Sequence, residues 1–84
     1  MDDQLTFSTF MLSLSTSVLV SLGELPDPSV NEKKINLPLA KQTIDLIEIL
    51  IEKTKGNLTE EEERLIGNML YDLRMKYIES AKFS

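Results

Sequence analysis

The chain contains no cysteine and no histidine in its 84 residues. Without thiols there is no disulfide framework, and without thiol or imidazole there is no ordinary zinc, haem or iron–sulfur site. The same absences remove Ser-His and Cys-His nucleophile pairs, and the Glu-x-x-His ligand motif of di-iron bundles. Chemistry is left to carboxylates, lysine, tyrosine and hydroxyls, and no cofactor is expected. Positive charge is scarce as well: nine basic residues stand against fourteen acidic ones, for a net charge of −5. Binding to a phosphate backbone depends on a concentrated positive surface. Here the basic residues are scattered, so nucleic acid is not an expected partner.

Hydrophobic residues make up 42% of the chain and charged residues 27%. That is the balance of a globular protein, not of a disordered or fibrous one. The length suits one domain, residues 1–84. A chain this short buries roughly 60 to 65% of its unfolded surface, so its stability is narrow unless disulfides, a metal or another subunit adds to it. Composition removes the first two, and self-association is left.

From Gln4 to Gly23 no residue is charged, a length that has to be tested as a membrane span. Ser8, Thr9, Ser13, Ser15, Thr16, Ser17 and Ser21 keep the stretch only half apolar, and Asp2 and Asp3 precede it where an export signal would carry Lys or Arg. Neither a span nor a signal peptide is expected, and the expected location is the cytoplasm. At helical spacing, Phe7, Met11, Leu14, Val18 and Leu22 form one stripe, widened by Phe10, Leu12, Leu19 and Val20. This predicts a first helix over about 5–23, with Gly23 as the left-handed residue after its last turn. Small hydroxyl residues on its other side leave room for a second helix at short range.

Glu24 to Asn36 contains Pro26, Asp27, Pro28, Ser29 and Asn31 and reads as a loop. Fully extended it would reach roughly 40 Å, long enough to exchange helix 1 onto another subunit. The second helix reads from about 37 to 55, with Asn36 as N-cap, Pro38 in the first turn and Gly56 at its end. Leu39, Ala40, Thr43, Ile44, Leu46, Ile47, Leu50 and Ile51 gather on an arc of about half its circumference. Lys41, Asp45, Glu48, Glu52 and Lys53 lie opposite, as a solvated face. Gly56-Asn57-Leu58 is short enough to fold helices 2 and 3 into an antiparallel hairpin. Thr59 with Glu62 forms a capping box that starts a third helix over about 60–80. Ile66, Met69, Leu70, Leu73 and Tyr77 form its main stripe; Tyr71, Met75 and Ile78 form a second patch. Gly67 costs about 1 kcal/mol relative to Ala in mid-helix, and close approach of a neighbouring helix would be one reason to keep it.

Two clusters invite a chemical reading. Asp45, Glu48 and Glu52, with Glu60 to Glu63 nearby, are the raw material of a magnesium or manganese site in a helical phosphohydrolase. In such enzymes the acids point into the bundle, whereas these lie opposite the apolar arc of their own helix; Glu60 to Glu62 also complement the dipole of helix 3. Tyr71, Arg74 and Tyr77 could contact a small anion or ligand, against which stand the ion pair Asp72–Lys76 and the packing of Tyr71 on Met75. No catalytic residue is assigned. Asn57-Leu58-Thr59 fits the glycosylation pattern, but Thr59 is accounted for as a cap.

The stretches Phe7-Ser8-Thr9-Phe10, Leu22-Gly23-Glu24 with Pro26-Asp27-Pro28, Asn36-Leu37 with Ala40-Lys41-Gln42-Thr43-Ile44-Asp45, Glu52-Lys53-Thr54-Lys55-Gly56-Asn57-Leu58-Thr59, and Leu70-Tyr71-Asp72-Leu73-Arg74-Met75-Lys76-Tyr77 resemble a bacterial family of short proteins catalogued as a domain of unknown function. The resemblance runs over nearly the whole chain, with several motifs in order. It implies a small, mostly helical, cytoplasmic bacterial protein and brings no activity, cofactor or catalytic residue with it. The chain departs from the family's pattern at Pro38 and Gly67, where better helix formers would be expected.

The expected fold is therefore all-α: three helices, the last two a hairpin, assembled as a homo-oligomeric bundle. All three helices carry wider apolar faces than a three-helix monomer can bury. The expected interface comprises Phe7, Phe10, Met11, Leu14, Val18, Leu22, Tyr71, Met75 and Ile78, with helix 1 at its centre. The expected function is a small non-enzymatic interaction or scaffolding module whose partner is its own copy. The alternatives are a metal-dependent helical phosphohydrolase and a membrane-associated adaptor acting through helix 1.

Overall fold

The computed structural model describes residues 6–29 and 31–82. They form three helices, α1 (Phe7–Ser21), α2 (Leu37–Lys53) and α3 (Glu60–Lys82), and each packs against the other two. Among the described residues the only β-type pairings are two isolated bridges in the α1–α2 connection. The fold is all-α.

Each helix begins and ends on local chemistry. Thr6 caps α1 by accepting from the Thr9 amide at 3.1 Å; the expected start near residue 5 lies outside the described residues. The helix closes with paired bonds, Glu24 N–H to the Leu19 carbonyl at 2.9 Å and Gly23 N–H to that of Val20 at 3.1 Å, the Schellman arrangement that needs a left-handed residue. Gly23 supplies it with φ +78°. Asn36 caps α2 through Oδ1, which accepts from the Leu39 amide at 3.1 Å, and Pro38 sits in the first turn, where its missing N–H has no partner to lose. Thr54 ends α2 two residues earlier than Gly56 alone suggested, its hydroxyl donating to the Leu50 carbonyl at 2.7 Å. The capping box of α3 forms in both directions: Thr59 N–H reaches Glu62 Oε1 at 2.8 Å, and Glu62 N–H reaches Thr59 Oγ1 at 3.1 Å.

The α1–α2 connection is folded back, not extended. Leu22 pairs with Ile35 and Asp27 with Glu32 in antiparallel bridges, and the Asn36 amide donates to the Ser21 carbonyl at 2.7 Å. At its tip the Asp27 carboxylate accepts from the Ser29 amide and hydroxyl at 2.9 and 2.7 Å, and Asn31 turns with φ 53°. The closed loop brings the end of α1 to the start of α2. The length that suggested exchange of helix 1 is consumed by this closure, and α1 packs on the α2 and α3 of its own chain.

The core is built from Met11, Val18 and Leu22 of α1 and its C-cap, Ala40, Ile44 and Ile47 of α2, and Ile66, Leu70 and Leu73 of α3. Phe7, Leu14, Leu19, Leu37, Leu50, Ile51, Leu58, Met69 and Tyr77 pack around it, partly buried. The stripes read from helical spacing on α1 and α3 are those that face inward. Only part of the α2 arc does so, and Leu39 and Leu46 remain exposed.

Candidate interaction surfaces

The charged flank of α2 faces α3. Arg74 donates from Nε to Glu48 Oε2 at 3.1 Å, and a second guanidinium nitrogen bonds the same oxygen. Around this pair a shallow cleft is lined by Lys41, Ile44, Asp45 and Glu48 of α2 and Arg74, Tyr77 and Ile78 of α3. Lys41 pairs with Asp45 at 3.0 Å, and the hydrogen bond to that carboxylate raises the lysine's pKa above its ordinary value. Nearer the α2–α3 turn, Lys55 stands 4.0 Å from Glu52. Each of the three carboxylates considered as metal ligands thus has its own cation: Lys41 on Asp45, Arg74 on Glu48, Lys55 on Glu52. Among the described residues no three acids converge as a metal site would require. This flank is not the plain solvated face that the sequence suggested, because Glu48 is tied to the neighbouring helix.

The same pair bears on the proposed anion contact. Arg74 is engaged by Glu48, Tyr77 is partly buried against the core, and Tyr71 is 67% exposed on the other side of Arg74. Arg74 and Tyr77 line one cleft, whose lining does not include Tyr71. Sequence reasoning missed the Arg74–Glu48 pair, since the two residues are 26 apart and only the relative register of two helices reveals them.

The residues expected at a subunit interface separate into two groups. Met11 and Val18 are 0% exposed and Leu22 is nearly so, all three in the chain's own core, with Phe7 and Leu14 packed against it. In a single folded chain these five are interior contacts. Phe10, Tyr71, Met75 and Ile78 are exposed, as are Leu12, Leu39, Leu46, Ile49 and Leu65, which spacing alone did not single out as surface. Gly67 is also exposed, and a Cβ there would meet nothing within 4 Å. Among the described residues no neighbouring helix explains it.

The pattern of the family described as a domain of unknown function, DUF1844, matches residues 4–79. The chain belongs to that family. No curated protein and no solved structure matches it. The matched span of this DUF1844 chain takes in α1, the folded connection, α2 and all but the last residues of α3. The stretches that carried the resemblance fall on the points that set the fold: the Schellman closure at Gly23, the caps at Asn36 and Thr59, and the α3 segment holding Arg74. Among the described residues no helix is long and apolar enough to cross a membrane.

Proposed function

We propose that this DUF1844 chain is a small non-enzymatic interaction module, one domain whose partner is a further copy of itself. The observation that supports this reading is apolar surface left over once the core is closed. Large apolar side chains stand exposed on every helix: Phe10 and Leu12 on α1, Leu39, Leu46 and Ile49 on α2, and Tyr71, Met75 and Ile78 on α3. Soluble monomers rarely expose contiguous apolar patches beyond a few hundred Å². Catalysis has little to draw on, because the chain lacks histidine and cysteine and its α2 carboxylates are paired with cations. Within the module, α2 and α3 are read as an antiparallel hairpin. Lys41 near the start of α2 shares a cleft with Tyr77 late in α3, and Ile51 late in α2 shares one with Ile66 early in α3.

Light scattering coupled to size exclusion, over a hundredfold range of concentration, tests the proposal. The expected result is a mass of two or more chains that falls on dilution. A mass of one chain at every concentration contradicts self-association.

A further inference from the structure

Charge on the outer face of α3 follows a repeat. Turned roughly 130 to 175° from the core line of Ile66, Leu70 and Leu73, Glu61, Arg64, Tyr71, Met75, Glu79 and Lys82 share one exposed face of the helix. Glu79 follows Glu61, and Lys82 follows Arg64, after about five full turns, so an acid with a base one turn on stands at each end of the face. Among the described residues none of these four charges has an ion-pair partner, whereas Asp72 has Lys76 and Arg74 has Glu48. Between the two charged ends stand Tyr71 and Met75, both large and exposed.

We infer that a second copy of the chain docks on this face, its α3 antiparallel to the first, about a two-fold axis between Tyr71 and Asp72; the inference rests on the self-association reading above and names its surface. The argument is charge complementarity. That axis is equidistant along the helix from Arg64 and Glu79, and from Glu61 and Lys82. Arg64 of each copy therefore meets the partner's Glu79, and Glu61 meets the partner's Lys82. Every pair in a two-fold contact occurs twice, so all the charges on this face that lack a partner in the single chain are matched in the dimer. A parallel pairing would instead set each against its own counterpart. At the centre Met75 comes opposite the partner's Asn68 and the two Tyr71 rings flank the axis, while Asp72, nearest to it, is already paired with Lys76 at 3.3 Å. Large anchors inside a charged rim are the usual anatomy of a protein interface.

The test is sedimentation velocity on the full chain across a concentration series in low salt, with circular dichroism to confirm folding. The variants are Arg64→Glu and Glu79→Arg, each alone, the two mixed, and both combined in one chain, with Leu46→Glu on α2 as a control. All three positions are exposed, and both reversals on α3 suit the helix dipole in sign, so the helices should persist. Either reversal alone turns two attractive contacts repulsive and is expected to weaken the dimer on the order of 10-fold. The equimolar mixture and the double variant bring opposite charges together again and should recover the wild-type affinity, which a folding defect would not allow. Leu46→Glu should match the wild type. Single reversals that dimerise like the wild type, or losses that neither mixing nor combination repairs, overturn the inference and leave self-association standing. A wild type monomeric at every concentration overturns both, and co-sedimentation of that monomer with phosphatidylcholine vesicles, abolished by Met75→Glu, would give the face to lipid.

Discussion

Arg74 on α3 and Glu48 on α2 are the one pair of oppositely charged side chains bonded between helices among the described residues, through Nε at 3.1 Å and a second guanidinium nitrogen on the same carboxylate oxygen. The other ion pairs lie within a helix or within the α1–α2 connection. Both side chains are about half exposed, so water and salt screen the attraction. Arg74→Ala and Glu48→Gln are each expected to cost about 0.5 to 1 kcal/mol, and the double variant less than the sum. Urea unfolding in low salt and in 0.5 M salt checks this. A coupling that vanished in low salt would show that the pair does not hold α2 to α3.

Gly67 offers a gain. It lies inside α3, and a Cβ at that position has nothing within 4 Å to meet. Gly67→Ala should therefore stabilise the chain by about 0.5 to 1 kcal/mol, through a smaller loss of chain entropy on folding. For a domain of this size that is a rise in Tm of several degrees, measured at fixed protein concentration because association shifts Tm too. A fall in Tm would mean that a group beyond the described residues comes close to Gly67.

The other two glycines should respond in the opposite sense and unequally. Gly23 and Gly56 both hold positive φ, +78° and +87°. An alanine in that region costs about 1 kcal/mol or more. At Gly56 nothing else is in the way, whereas a Cβ on Gly23 would stand 2.9 Å from Ile35 Cγ1, in the bridge that closes the α1–α2 connection. Gly23→Ala should lower the unfolding midpoint clearly more than Gly56→Ala. Equal losses would show that the Ile35 contact yields freely.

Acid should loosen the tip of that connection. The Asp27 carboxyl is held below its ordinary pKa by the hydrogen bonds from the Ser29 hydroxyl and amide, with Lys34 adding attraction. A carboxyl whose pKa is lower folded than unfolded stabilises the fold fully above the unfolded value, about 3.9. The contribution is lost as pH falls from there through the folded value, because the unfolded chain then binds more protons. Carbon-detected NMR titration of Asp27 should show the depressed midpoint, and Asp27→Asn should make stability less sensitive to pH below about 4. An unshifted midpoint would mean that the Ser29 bonds do not persist in solution.

Helix boundaries were legible wherever a cap decides them, because capping is settled within a few residues. Asn36, Thr59 with Glu62 and Gly23 act as their positions in the sequence indicate. The end of α2 was misread by two residues, since Thr54 closes the helix through its own hydroxyl before Gly56 is reached. The inward stripes of α1 and α3 were legible as well, but helical spacing says only that a face is buried, not by what. Met11 and Val18 suit a subunit interface and a monomer core equally well, and the chain's own helices cover them. The folded connection was hidden for a related reason: its length sets how far it could reach, while the bonds from Asp27 to Glu32 and from Asn36 to Ser21 decide how far it does. The Arg74–Glu48 pair needs the register of two helices, which one-dimensional spacing does not carry.

The most direct test of how two copies meet is an isotope-filtered NOE spectrum on a mixture of labelled and unlabelled chains, which reports only proton contacts between copies. Self-association through apolar side chains left exposed by the core predicts intermolecular contacts from one or more of Phe10, Leu46, Ile49, Tyr71, Met75 and Ile78. An absence of intermolecular contacts at every concentration measured would contradict it.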